Sequence, residues 1–275
     1  MVYSKVLQMV LRQLDGDYKS FFALRRNGDL KSKLPHFKSH KYFTTMTYNQ
    51  SGFKFERGCL KLSHKHSSNV ELCFAIPESF TFGRVIQVVV SQDDKGRFYV
   101  SVVYIKKTPL YVDNGLYQSF DLGITKHTAI NSYGKFVEFK NSRHDKFWNP
   151  TTDLLQSRRA HCKRYSRKWY HWNKVFKKCK RKCSRQIIDF QHKLSRKIVE
   201  NTKANTIIIG DLNVKGMAQS PKASTCLNRS IQNSGYLGRF VRFLSYKAEL
   251  VGKKVVEIDE SYTSKKCYVC GETHI

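Results

Sequence analysis

Hydrophobic spacing changes character several times along the chain. Between residues 3 and 26, Val6, Met9, Val10, Leu14, Tyr18, Phe22 and Leu24 recur at roughly the 3.6-residue period of a helix, and Gly28 supplies a stop. A basic extended stretch follows, LKSKLPHFKSHKYF, with Pro35 as a breaker. From Tyr42 to Lys107 the pattern is short and alternating: YFTTMTY, FKFE, CLKLS, RVIQVVVS and RFYVSVVYIKK are separated by the turn signals SG, RG and DDKG. So many short strands in one stretch predict a small barrel or sandwich.

Near residue 115 the pattern changes again. LYQSFDLGI and TAINSYGKFVEF predict three strands with turns at Gly123 and at Tyr133-Gly134. Residues 151–200 predict long helices, arranged as a hairpin. TIIIGD predicts a strand opening onto a loop, where α/β proteins place their chemistry. Residues 228–251 predict a helix with Leu237, Phe240, Val241, Leu244 and Ala248 on one face and Gly252 as its stop. KVVEIDE predicts a last strand. The fold class is thus α+β or α/β: a small β domain, then a mixed sheet with helices.

Composition narrows the partner. The 275 residues carry 50 Lys+Arg against 21 Asp+Glu, a net charge of +29. Such a charge repels itself in the folded state and is relieved by a polyanion. No apolar run reaches the ~18 residues of a membrane helix, and the N-terminus lacks the ordered regions of a signal peptide. Eight scattered cysteines suit a reduced compartment better than a disulfide framework. A cytoplasmic, nucleoid-associated protein is expected.

Four groups of residues are candidates for chemistry. Asp121 ends an apolar strand before Gly123, as a Mg²⁺ ligand or as a turn cap. Glu260 ends VVEIDE, where alternation gives it Ile258's face and gives Glu257 and Asp259 the other. Cys267 and Cys270 form a CxxC before Gly271. It suits half of a tetrahedral zinc site, with His274 as a possible third ligand and a redox pair as the alternative. Between Asp153 and Asp189 no acid occurs, while Arg158, Arg159, Lys163, Arg164, Arg167, Lys168, Lys177, Lys178, Lys180 and Arg181 alternate with aromatic residues. One-signed charge with aromatics favours phosphate contact and some stacking over a solvated helix face. Cys179 and Cys183, one helical turn apart, and His64 with His66 are weaker metal candidates.

The order of KLPHFK, a small β domain, FDLGI, the basic hairpin ending in DFQHKLSRKIVENT, GDLNVKGM, GYLGRFVRFLSYKAELVGKKV and TSKKCYVCG resembles the TnpB (OrfB) proteins of insertion sequences, relatives of the type V CRISPR effectors. The resemblance implies a β-barrel, wedge-like domain with an N-terminal helical segment over 1–112. It implies a RuvC-like domain of RNase H fold over 113–275, with the basic hairpin at 151–200 and an incomplete zinc ribbon at 263–275. It implies a guide RNA and a double-stranded DNA target as partners, and DNA cleavage in transposition by three carboxylates holding two Mg²⁺ ions about 4 Å apart. The first carboxylate maps onto Asp121. The second, normally a Glu, falls at Gly210, and Glu260 is the best substitute. The third, and the second cysteine pair for Zn²⁺, fall beyond Ile275, so truncation at both ends is expected. A nuclease, a nuclease-dead RNA-guided binding protein acting as a repressor, and an inactive transposon remnant all remain open readings.

Overall fold

A computed structural model of the protein describes residues 3–37, 44–64, 70–93, 96–211, 225–231, 237–259, 270 and 272, the side chains of 225–227 excepted. The chain divides into two compact units, Met1–Lys107 and Thr108–Ile275.

In the first unit, helix α1 (Ser4–Arg26) ends as its pattern predicts, with Gly28 at a left-handed φ of 85°. Of its apolar stripe only Val6 is buried. Two three-stranded antiparallel sheets follow. One has the order β1 (Thr45–Asn49), β5 (Arg84–Gln92), β6 (Phe98–Ile105); the other joins β2 (Phe53–Glu56), β3 (Cys59–Leu62) and β4 (Leu72–Ala75). Both contribute to one core of Val6, Tyr48, Phe53, Leu60, Leu62, Val88 and Val90. Among the described residues the two sheets do not close on each other, so the expected barrel is corrected to an open pair of sheets. Closure would require an edge strand of one sheet to pair with an edge strand of the other, and among the described residues none does.

The second unit is built on a five-stranded sheet, order β11 (Lys254–Ile258), β10 (Thr206–Gly210), β7 (Tyr117–Leu122), β8 (Lys126–Asn131), β9 (Phe136–Lys140). β10 runs parallel to both neighbours, while β7, β8 and β9 form an antiparallel meander. The turn at Gly123 is steric: a Cβ there would lie 2.5 Å from the Lys126 carbonyl oxygen, to which the Gly123 N–H donates.

The described residues of the unit also hold three longer helices and a short one. α2 (His144–Ala160) and α3 (Arg167–Asn201) form the expected hairpin, but α2 starts seven residues earlier than predicted. Its first turn is fixed by Asp145, buried and gripped by both Arg143 nitrogens at 2.9 Å; Arg143 also reaches Ser230 Oγ at 3.0 Å. Ser166 caps α3 by accepting the Trp169 N–H. α4 (Thr225–Ser230) is short, and α5 (Leu237–Glu249) carries the predicted apolar face. The C-terminal part of α3 and the face of α5 cover one side of the sheet, burying Phe120, Leu122, Ala129, Ile207 and Ile209 against Leu194, Ile198, Phe240 and Leu244.

Candidate nucleic-acid interface and carboxylate edge

The carboxylates follow from strand parity. Phe120 and Ile209 are register partners, and both are buried under the helices. The next residue on each strand, Asp121 on β7 and Gly210 on β10, therefore belongs to the opposite face, which no described helix covers. Asp121 is exposed there, and its partner on β8 is Thr128. The position aligned with it on β10 offers no side chain. Asp211 follows the strand: its N–H donates to the Ile258 carbonyl at 2.7 Å, and with Gly210, Glu257, Arg242 and Leu122 it lines a cavity of about 200 Å³ beside α5.

Ile258 is 45 % exposed, because no described helix covers its face. Among the described residues, no three His, Cys, Asp or Glu side chains group where a metal ion could sit. The described residues alone therefore do not make the two-metal site. Glu260, Cys267, His274 and His66 lie outside them, and Cys270 is exposed.

The sheet's covered face carries a residue that pattern reading missed. His127 is 2 % exposed and stacks on Phe240 at 4.6 Å, with Nδ1 buried and unpartnered by protein. Burial lowers its pKa to about 4, so the ring is neutral at pH 7. Lys247 of α5 is also buried; its Nζ donates to the His192 carbonyl at 2.5 Å and to Ser195 Oγ at 2.8 Å, pinning α5 to α3. A lysine inside an apolar stripe gives no sequence signal of such a role.

The hairpin sorts the basic residues. Lys163, Arg164, Arg167, Lys168, Lys177 and Lys178 are exposed; Arg159, Lys180 and Arg181 are half-buried. Arg158 is exposed, yet its guanidinium lies 5.0 Å from the Trp172 ring centre. Arg159 lies 4.6 Å from Phe176 and bonds Asn173 Oδ1 at 3.0 Å. These two arginines thus tie α2 to α3 through cation–π contacts. Trp148 and Trp172 are likewise half-buried, and Trp148 donates to Gln186 Oε1 at 2.6 Å. Asp153, at the edge of the acid-free stretch, is held below the ordinary carboxylate pKa by its two bonds to Arg229 at 2.8 and 2.5 Å. No helix among the described residues is long and apolar enough to cross a membrane.

Comparisons with known proteins agree with this layout. The family described as "Probable transposase" (OrfB_IS605) matches residues 102–221, and the "Cas12f1-like, TNB domain" matches residues 238–275. The chain is 25 % identical to "Putative RNA-guided DNA endonuclease InsQ" of Escherichia coli (strain K12), over 98 % of this chain and 66 % of that protein. It is 27 % identical to "CRISPR-associated endodeoxyribonuclease Cas12f2" of Micrarchaeota archaeon (strain CG1_02_47_40), over 66 % of this chain and 34 % of that one. The chain therefore spans under two thirds of the length of these relatives. The protein in the cryo-EM structure of the Cas12f1–sgRNA–target DNA complex has a similar fold, with a TM-score of 0.60 at 15 % identity, covering 93 % of this chain and 62 % of that one. The two family matches fall on the segments that carry FDLGI, the basic hairpin and the CxxC, and the InsQ match runs along nearly the whole chain: all three support the TnpB/OrfB family.

Proposed function

We propose that this chain is an RNA-guided DNA-binding protein that holds guide RNA and target DNA partly on the α2–α3 hairpin. The observation that carries the reading is a helix of about 50 Å whose N-terminal part, with the turn before it, exposes Lys163, Arg164, Arg167, Lys168, Lys177 and Lys178 with no acid between Asp153 and Asp189. Two of its relatives bear names of RNA-guided or CRISPR-associated nucleases, which supports nucleic acid as the polyanion. Six to ten phosphate contacts make affinity fall by about 10³–10⁵ between about 50 and 200 mM salt. Filter binding of RNA and of duplex DNA across a salt series measures this. Replacing Lys163, Arg164, Arg167 and Lys168 with Ala should flatten the slope; an unchanged slope rejects the hairpin as the contact surface.

A second reading, Mg²⁺-dependent DNA cleavage, is favoured by one observation: Asp121 is exposed near the C-terminal end of β7, on the face that no described helix covers. With Gly210 beside it, a further carboxylate is required, and Glu260 is the residue we assign to it. Glu260→Ala should then abolish cleavage of guide-matched DNA and leave DNA binding intact. Parent-like cleavage by that variant would reject the assignment.

A further inference from the structure

We propose that the tip of the hairpin is a stacking platform for an exposed nucleobase, of the kind found where a duplex opens into single strand. This deepens the proposed function, because it concerns the same hairpin and adds base contact to phosphate contact. Three observations converge on the tip. First, Tyr165 has a left-handed φ of 65°, an unfavourable setting for a bulky residue in a turn that Gly would occupy without strain. Such strain persists where surrounding contacts over-determine it, and it collects at ligand-binding positions.

Second, Tyr165 does not spend that conformation on burial: it is 61 % exposed, and Tyr170 is 55 % exposed. The rings nevertheless form a cluster. Tyr165 lies 5.4 Å from Trp169 and 6.3 Å from Tyr170, and Trp169 meets Tyr170 edge-on at 5.3 Å. The Arg164 guanidinium sits 5.0 Å from the Tyr165 ring centre, which stiffens the ring from one side. A rigid aromatic face in water is a sequence-tolerant partner for a base, since every base has a π-face.

Third, the charge around the cluster has one sign. Lys163, Arg164, Arg167 and Lys168 are exposed within three residues of Tyr165, and the nearest acids in sequence are Asp153 and Asp189. A base stacked on Tyr165 would bring its flanking phosphates among these cations. Further along the hairpin, Trp172 and Phe176 are already engaged by Arg158 and Arg159. At the tip, Tyr165 and Tyr170 keep most of their surface open, with Arg164 on one side of the Tyr165 ring.

The test compares two probes of equal charge with the full chain: a duplex closed at both ends by loops, and a duplex with a single-stranded extension, each made as DNA and as RNA. Tyr165→Gly removes the ring and suits the left-handed turn, so its melting temperature should equal or exceed the parent's. We expect it to weaken binding of the extended duplex by about 5- to 100-fold, the equivalent of one lost base–aromatic stack, and to leave the closed duplex unchanged. Tyr165→Phe should keep parent affinity. Trp169 emission should be quenched by the extended probe only. The DNA and RNA arms show which strand supplies the base. Parent-like binding of both probes by Tyr165→Gly overturns the platform, and so does an equal loss on both, which would make Tyr165 a spacer for the phosphate contacts. If the parent binds neither probe, the RNA-guided binding reading fails and the platform falls with it.

Discussion

The two faces of the five-stranded sheet come from the same alternating strands and do different things. One face buries Phe120, Leu122, Ala129, Ile207 and Ile209 beneath α3 and α5. The other leaves Tyr117, Ile130, Phe136 and Ile258 exposed, and Asp121 stands among them. Neighbouring residues on one strand, Phe120 and Asp121, therefore answer to different constraints: one is held by packing, while the other stands in solvent. A period of two along a strand is what makes so sharp a division possible. α3 repeats the contrast along its length, with Ile187, Leu194, Ile198 and Val199 buried toward its C-terminus and exposed cations toward its N-terminus.

The comparison breaks first, if it is wrong, at Ile209. This residue is 1 % exposed and sits beside Phe120 beneath the helices. Ile209→Ala removes buried methyl groups and leaves a cavity, at about 2–5 kcal/mol. Urea unfolding of the second unit's signal should shift by that amount, whereas Ile258→Ala on the open face should shift it by under about 0.5 kcal/mol. Equal shifts would mean that the open face is covered in solution.

A second effect, somewhat smaller, belongs to the covered face alone. The His127 pKa is lowered from 6.5 to about 4 by burial. The unfolded chain then takes up the proton first as pH falls. Stability contributed by the neutral ring is complete above about pH 6.5 and is lost progressively down to about pH 4, by roughly 3 kcal/mol in all. His127→Gln should flatten that part of the stability profile. If the parent's profile is already flat between those pH values, the histidine is solvated and the face is less sealed than its packing indicates.

Much of this division was legible in the sequence. Spacing located α1, the second-unit strands, the hairpin and the apolar stripe of α5, because each depends on local period. Three things were hidden. Whether two small sheets close into a barrel depends on non-local pairing, which short alternating segments do not encode. The early start of α2 depends on the buried Arg143–Asp145 pair, which is not a local signal, and Pro150 between Asn149 and Thr151 reads locally as a break. The inter-helix duty of Arg158 and Arg159 was also hidden, because an arginine stacked on a ring and one facing a phosphate look alike in a sequence.

The smallest expected change in stability is also the sharpest separation of the two faces. Asp121 is exposed on its strand, and its neighbour across β8 is Thr128. Asp121→Asn keeps the shape and removes the charge, so the unfolding midpoint should move by no more than about 0.5 kcal/mol, as for other exposed positions. Binding of duplex DNA should stay as it is, since the hairpin cations are untouched. Mg²⁺-dependent cleavage, wherever the parent shows it, should disappear, because an amide cannot supply the anionic oxygen a hard divalent ion needs. Melting, filter binding and cleavage measured on one preparation separate the three. A variant that melts early would make Asp121 a turn cap, the other role its place before Gly123 allows. A variant that melts and binds like the parent but no longer cuts would assign the open face to chemistry and leave stability to the covered one.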